Sequence, residues 1–139
     1  MGFAAMTVDS SAILAVLLRE EGYEAVEREF ANAVGLHISA ATYVECHAVV
    51  MRARRPELIH LLEDFLATHS VQIAPLTAEQ AQLAVRAYRD YGRGTGHAAS
   101  LNLGDTFSYA LAKSRFEPLL CTGDDFRRTD LRTRPEPTA

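Results

Sequence analysis

The sequence predicts an α/β fold: a three-layer sandwich with helices on both faces of a mostly parallel central sheet of four to five short strands. Short apolar runs recur at Thr7-Val8, Leu36–Ile38, Val71–Ala74 and Leu119–Cys121. Between them lie segments with helical spacing, and alternation of this kind is the signature of a parallel sheet with crossover helices. The chain has 139 residues and is 48% hydrophobic, which suits one globular domain, spanning 1–139, without disulfides.

Each element has a local reason. Thr7-Val8 ends at Asp9, and the run Ser11–Arg19 carries Ile13, Leu14, Leu17 and Leu18 at helical spacing, with Ser10 as a plausible cap. Gly22 interrupts, and a second helix Tyr23–Ala33 shows Tyr23, Val26, Phe30 and Ala33 on one face before Gly35 ends it. After Leu36–Ile38, Ser39 or Thr42 caps a helix over about Ala41–Arg54. Pro56 stops it and opens another, with Leu58, Ile59, Leu62, Phe65 and Leu66 at core spacing. Val71–Ala74 is closed by Pro75. Thr77-Ala-Glu-Gln80 reads as a capping box for a helix to about Tyr91, with Ala81, Ala84, Val85 and Tyr88 inward. Gly92–Gly96 holds three glycines in five residues and reads as a mobile loop. Gly104-Asp105 opens a helix through Lys113, with Phe107, Ala110 and Leu111 inward, before the last strand Leu119–Cys121. Met1–Met6 is expected as a loose extension, with Met6 an alternative start. The tail Arg132–Ala139 is expected to be frayed.

Composition narrows the function classes. The longest apolar stretch, Ser11–Leu18, is far short of a membrane span of about 20 residues. The N-terminus has neither a basic region nor a long apolar core, so no signal peptide is read and a cytoplasmic protein is expected. Cys46 and Cys121 form no CxxC, and the five histidines complete no zinc pattern, so both thiols are expected to be buried and structural. The net charge of −4 is unusual for a plain nucleic-acid binder. An acidic enzyme still acts on RNA when its carboxylates hold divalent cations.

The placement of the acids is the informative feature. Ligands of an open parallel sheet bind beyond the carboxyl ends of its strands. Asp9 follows the first strand and Asp124-Asp125 the last. Glu45 lies early in the helix after the second strand, and Asp105 in the first turn of the helix before the last. All point to one sheet edge. Converging carboxylates repel and are stable as anions with cations between them, and oxygen-only ligands select Mg²⁺ or Mn²⁺. Such ions support phosphodiester hydrolysis. Singly, each acid has a plainer reading: Asp9 and Asp105 as helix caps, Glu45 as an exposed helix charge, Asp124-Asp125 as turn residues. It is the joint arrangement that points to chemistry. The pattern departs from a receiver domain, which needs paired acids after its first strand. It departs from a haloacid-dehalogenase motif too, since Ser11 stands where a second Asp is required, and no GxxxxGK[ST] or GxGxxG is present.

Four stretches taken together resemble the PIN-domain family in its VapC toxin branch: Thr7-Val-Asp-Ser-Ser-Ala12, Ser39-Ala-Ala-Thr-Tyr-Val-Glu45, Leu101–Lys113 with its Asn-x-Gly-Asp, and Leu119–Phe126 with Gly-Asp-Asp-Phe. The likeness continues through Arg127–Leu131 with Thr129-Asp130, so it runs in order from Thr7 to about Leu131. It implies a PIN-like sandwich and an endoribonuclease dependent on Mg²⁺ or Mn²⁺. Asp9, Glu45 and Asp105 match the family's first three acids. For the fourth, Gly123 occupies one place the family uses, leaving Asp125 first and Asp124 second. Ser11 matches a small hydroxyl kept near the metal, and Thr122 is read as orienting a carboxylate. The resemblance also implies an RNA substrate, a cognate VapB-type antitoxin, and a homodimer to which Tyr23–Ala33 and Pro56–Thr68 contribute. Arg93, His97 and Lys113 are the first candidates for RNA contact, followed by Arg127, Arg128 and Tyr109, whereas His37 reads as structural. A silent PIN-like binding module, or a nuclease acting on DNA or structured nucleic acid, is the alternative.

Overall fold

A computed structural model describes residues 5–137. The elements run β1 (Ala5–Val8), α1 (Ser10–Leu17), α2 (Tyr23–Asn32), β2 (Gly35–Ser39), α3 (Ala40–Arg52), α4 (Pro56–Thr68), β3 (Gln72–Ala74), α5 (Ala78–Tyr91), α6 (Leu103–Arg115), β4 (Leu119–Leu120) and β5 (Thr133–Arg134), with one 3₁₀ turn at Phe126–Arg128. The strands form one sheet in the order β3-β2-β1-β4-β5, with every neighbouring pair parallel.

Alternation along the strands sorts the two faces. Met6, Val8, Leu36, Ile38 and Leu120 enter one core, which α1 to α4 fill with Ile13, Phe30, Val50, Leu58 and Leu62. Leu119 points the other way and packs with Ala87, Leu101, Tyr109, Ala112 and Phe126. This is the expected three-layer α/β sandwich.

Both ends of the domain are more ordered than the sequence suggests. Ala5 and Met6 belong to β1, paired with Gly35 and Leu36, and Met6 is buried. They are not a loose extension, because a central strand needs backbone partners on both sides. Met1–Ala4 lie outside the described residues. Within the tail expected to fray, Arg132 and Arg134 accept from the amides of Leu119 and Cys121. The Arg134 guanidinium also makes a two-pronged contact with Glu29 of α2, at 3.1 and 3.0 Å. A partner about a hundred residues away leaves no local trace in the sequence.

Helix α5 differs by a rotation. Its buried residues are Gln80, Ala84 and Ala87, while Val85 and Tyr88 are exposed. Small side chains let α5 lie close against α6, and the larger apolar ones turn outward. Phe107 of α6, expected inward, is only half-buried and joins Val85, Tyr88 and Leu103 along an apolar groove. The capping box expected at Thr77 closes one way only: Thr77 accepts from the Gln80 amide, while Gln80 Oε1 is buried without a partner. The loop Gly92–Gly96 is pinned at its base, where the Arg93 amide donates to the Leu101 carbonyl and the Leu101 amide donates to the Tyr91 carbonyl.

Candidate active site

Strand order fixes where a site forms. From β1 the chain builds outward through β2 and β3 on one side, then returns to place β4 and β5 on the other. The crevice at the carboxyl ends of β1 and β4 is therefore the point where the winding reverses, the usual ligand position in such sheets. Asp9 follows β1 directly, and Asp124-Asp125 follow β4.

Asp9 is the deepest of the acids, 3% exposed. It is the N-cap of α1, its Oδ2 accepting from the Ser11 amide at 3.1 Å, as the plain reading of this residue expects. Its Oδ1 accepts from the Ser108 hydroxyl at 2.6 Å. Glu45, in the second turn of α3, accepts from the Ser10 hydroxyl at 3.3 Å. Its carboxylate rests on Gly104, where any Cβ would collide with Oε2. The glycine of Asn-x-Gly-Asp is thus a notch for Glu45. Asp105 closes a reciprocal capping box with Asn102, its Oδ2 accepting from the Asn102 backbone amide at 3.0 Å and its own backbone amide donating to Asn102 Oδ1 at 2.9 Å.

The electrostatics bind these acids together. Burial first, then the charges of Asp9, Asp125 and Glu45, push the Asp105 carboxyl up to about 6, against the pull of the Asn102 amide. Glu45 is raised by burial and by Asp9, with Ser10 and Arg52 opposing. The charge of Asp125 bears on Asp105, although Asp125 is exposed and lies 3.8 Å from Arg128, whereas Asp124 is paired with Arg127 at 3.0 Å. The thiols of Cys46 and Cys121 are pushed up to about 12, chiefly by burial, and are free and buried as expected.

Oxygen-only donors that raise one another's proton affinity fit a hard divalent ion. Among the described residues no three His, Cys, Asp or Glu side chains already converge to grip one. Asp105 is turned to its own helix terminus and Glu45 to Ser10, so ion binding requires these side chains to swing inward.

The supporting residues are arranged differently from the expectation. The Ser11 hydroxyl accepts from the Thr122 amide at 3.1 Å, tying the β1–α1 turn to the end of β4. Thr122 thus acts through its backbone, and among the described residues its hydroxyl makes no hydrogen bond to a carboxylate. Lys113 is bound to Asp130 at 2.9 Å, and Tyr109 donates to the same carboxylate at 2.6 Å. His97 meets Tyr91 edge-on at 4.9 Å and accepts from the Ala99 amide. Arg128 lies 3.8 Å from Asp125, and Arg93 is exposed. Of the candidates for RNA contact, Lys113, His97 and Tyr109 therefore already serve the α5–α6 side of the fold. His37 is structural, as read: it faces Glu117 and Arg115. Ser108, Thr42, Ser10 and Gly104 were not legible as site residues. A serine in mid-helix among Phe107, Tyr109 and Ala110 was the available signal.

The model of the PIN domain matches residues 6–131. The chain belongs to the PIN-domain family. Ribonuclease VapC42 of Mycobacterium tuberculosis is 46% identical over 127 residues, covering 91% of this chain and 97% of the relative. Ribonuclease VapC28 of the same organism is 45% identical over 124 residues, covering 89% and 93%. The PIN chain is thus of the VapC type. Among solved structures, VapC20 of M. tuberculosis, described as a sarcin-ricin loop cleaving toxin, superposes with a TM-score of 0.70 at 16% identity, covering 91% of this chain and 95% of that one. FitAcB from Neisseria gonorrhoeae gives 0.67 at 18% identity, covering 92% and 95%. At these identities the structural matches speak for the fold.

Proposed function

We propose that this PIN domain is a divalent-metal-dependent endoribonuclease, the toxin of a VapBC-type pair, with Asp9, Glu45, Asp105 and Asp125 as its catalytic acids. The observation that carries the reading is the clustering of the acids at the end of β1, where Ser10 beside the buried Asp9 bonds Glu45 and Glu45 rests against Gly104 beside Asp105; burial and the neighbouring acids push the Asp105 carboxyl up to about 6. Near-full-length identity to VapC ribonucleases supports it.

A bound Mg²⁺ or Mn²⁺ would polarise the phosphodiester, lower the proton affinity of the attacking water and shield the acids from one another. Asp9 is held rigidly from both oxygens and offers its remaining lone pairs to the crevice. Glu45 and Asp105 are the adjustable ligands, Glu45 leaving its 3.3 Å contact with Ser10 and Asp105 exchanging its bond to the Asn102 backbone amide for the ion. Asp125 completes the set, with Asp124 standing outside it. Arg127 and Arg128, beside Asp124 and Asp125, and the exposed Arg93 are the phosphate contacts that position the RNA without reading it.

The cognate partner is a VapB-type antitoxin, a reading supported by structural neighbours that include a toxin–antitoxin complex from Klebsiella pneumoniae and VapBC2 from Rickettsia felis. Two buried free thiols, and no helix among the described residues long and apolar enough to cross a membrane, fit a cytoplasmic protein. For a homodimer, α2 and α4 offer little, since Val26, Phe30, Leu58, Leu62 and Leu66 are spent on the core. The groove of Val85, Tyr88, Leu103 and Phe107 is the better surface. Val85→Asp should convert a dimer to monomer in sedimentation; an unchanged mass would reject that surface.

The test of activity is incubation of antitoxin-free protein with total RNA, with Mg²⁺ or Mn²⁺ and with chelator, beside Asp105→Asn. Discrete metal-dependent fragments that vanish in the variant are expected. Cleavage indifferent to chelator and to the substitution would sink the reading.

A further inference from the structure

Behind the acidic crevice lies a buried chain of three side chains from three elements. Ser108 of α6 donates to Asp9 Oδ1 at 2.6 Å, and Thr42 of α3 stands 3.2 Å from the Ser108 oxygen. Asp9 is 3% exposed, and Thr42 and Ser108 are each 1% exposed, so solvent does not substitute for these bonds. The proton count fixes the direction. Serine has one hydroxyl proton, and Ser108 gives it to Asp9, so the proton between Ser108 and Thr42 comes from Thr42.

We propose that Thr42 and Ser108 form a hydroxyl relay that positions Asp9 as the preorganised metal ligand of the crevice. The inference rests on the metal-nuclease reading above and adds two positioning residues to it.

The geometry gives the relay a specific task. A carboxylate torsion is broad and soft, so an Asp held from one oxygen still swings. Asp9 is held from both: Oδ2 by the Ser11 amide and Oδ1 by Ser108. Each oxygen keeps further acceptor capacity for an ion. By contrast, Glu45 has the longer 3.3 Å contact with Ser10, and Asp105 is held through the amide of Asn102. One acid is fixed before the ion arrives and the others close upon it. Hydrogen-bonded chains polarise along their length, so Thr42 strengthens the Ser108 bond without touching the carboxylate. Partners of this kind are commonly worth 10–100-fold in metal affinity.

The experiment is Mn²⁺ titration, followed by electron paramagnetic resonance, of wild type, Ser108→Ala, Thr42→Val, Thr42→Ser and the double variant Ser108→Ala/Thr42→Val. Ser108→Ala should weaken Mn²⁺ binding about tenfold. Thr42→Val, of similar shape, should weaken it roughly threefold, since it acts one bond further away. Thr42→Ser, which keeps the hydroxyl, should restore affinity. In the Ser108→Ala background Thr42→Val should add nothing, because the relay is already cut. In RNA cleavage, kcat should fall in both single variants while KM holds, since neither side chain reaches the RNA. Metal-free wild type should also show a protected Ser108 hydroxyl proton by NMR, a readout that needs no variant to fold. Folded Ser108→Ala with wild-type Mn²⁺ affinity, or additive losses in the double variant, would overturn the relay. Absence of the hydroxyl proton would overturn it as well. Wild type that binds no Mn²⁺ would instead overturn the metal reading, and the relay's role with it.

Discussion

The two ends of the sheet treat buried carboxylates in opposite ways. At the amino end, Glu117 receives the Thr7 hydroxyl at 3.0 Å, His37 at 3.2 Å and the Arg115 guanidinium at 3.2 Å. Its charge is answered from within the chain. At the carboxyl end, Asp9, Glu45 and Asp105 accept from serine hydroxyls and backbone amides, with no ion pair to them among the described residues, while the exposed Asp125 lies 3.8 Å from Arg128. Burial and their own repulsion push Asp105 to about 6 and raise Glu45. The same side-chain chemistry thus makes a strut at one end and an open valence at the other. A protein gains nothing in stability by crowding unanswered acids, so such a cluster is where a cation-dependent function is to be sought.

The largest expected effect is an exchange of phenotypes between the two ends. Glu45→Gln should lower RNA cleavage by at least about 100-fold and leave stability unchanged or improved, since it removes a repelling charge. Glu117→Gln should leave cleavage unchanged and cost about 1–3 kcal/mol in urea unfolding, because charge-assisted bonds are lost from a buried group. If Glu117→Gln abolished cleavage with stability intact, the contrast between the ends would be false.

Gly104→Ala sharpens the comparison within the crevice. The new Cβ would collide with Glu45 Oε2, and the carboxylate is the mobile partner. Alanine is otherwise favourable in the first turn of α6 by roughly 0.5–1 kcal/mol. Cleavage should fall about tenfold or more while the Tm holds or rises, because what moves is a metal ligand and not the core. A Tm that falls together with activity would show that the glycine serves packing instead.

The smallest effect is on pH. The Asp105 carboxyl has an ordinary value of 3.8 and stands at about 6 in the fold, so the folded state holds its proton more tightly. Between those values the folded protein binds more protons than the unfolded chain, and stability rises as pH falls. Without divalent ions, acidification from pH 7.5 to 5.5 should raise the Tm by a few degrees relative to Asp105→Asn. That comparison cancels His69, whose burial lowers its proton affinity and which works in the opposite sense. Saturating Mg²⁺ should remove the gain, since ion and proton compete for one carboxylate. Parallel pH curves for wild type and Asp105→Asn would contradict the repulsion described for the crevice.

The sequence by itself determined the alternation of strands and helices, because apolar spacing is local and the two periods differ. It also determined which acids end strands and open helices, since Asp9, Glu45, Asp105 and the Asp124-Asp125 pair stand at fixed offsets from those runs. Only the tertiary structure decided the rest. The turn after β4 hands Asp124 to Arg127 at 3.0 Å and leaves Asp125 more loosely beside Arg128 at 3.8 Å. Which side of α5 is buried depends on how near α6 comes, and Ala84 and Ala87 win that contest over Val85 and Tyr88. Arg134 finds Glu29, and Ser108 finds Asp9, across about a hundred residues. Bonds of that span belong to no window of the chain, because what brings the partners together is the closing of the sheet.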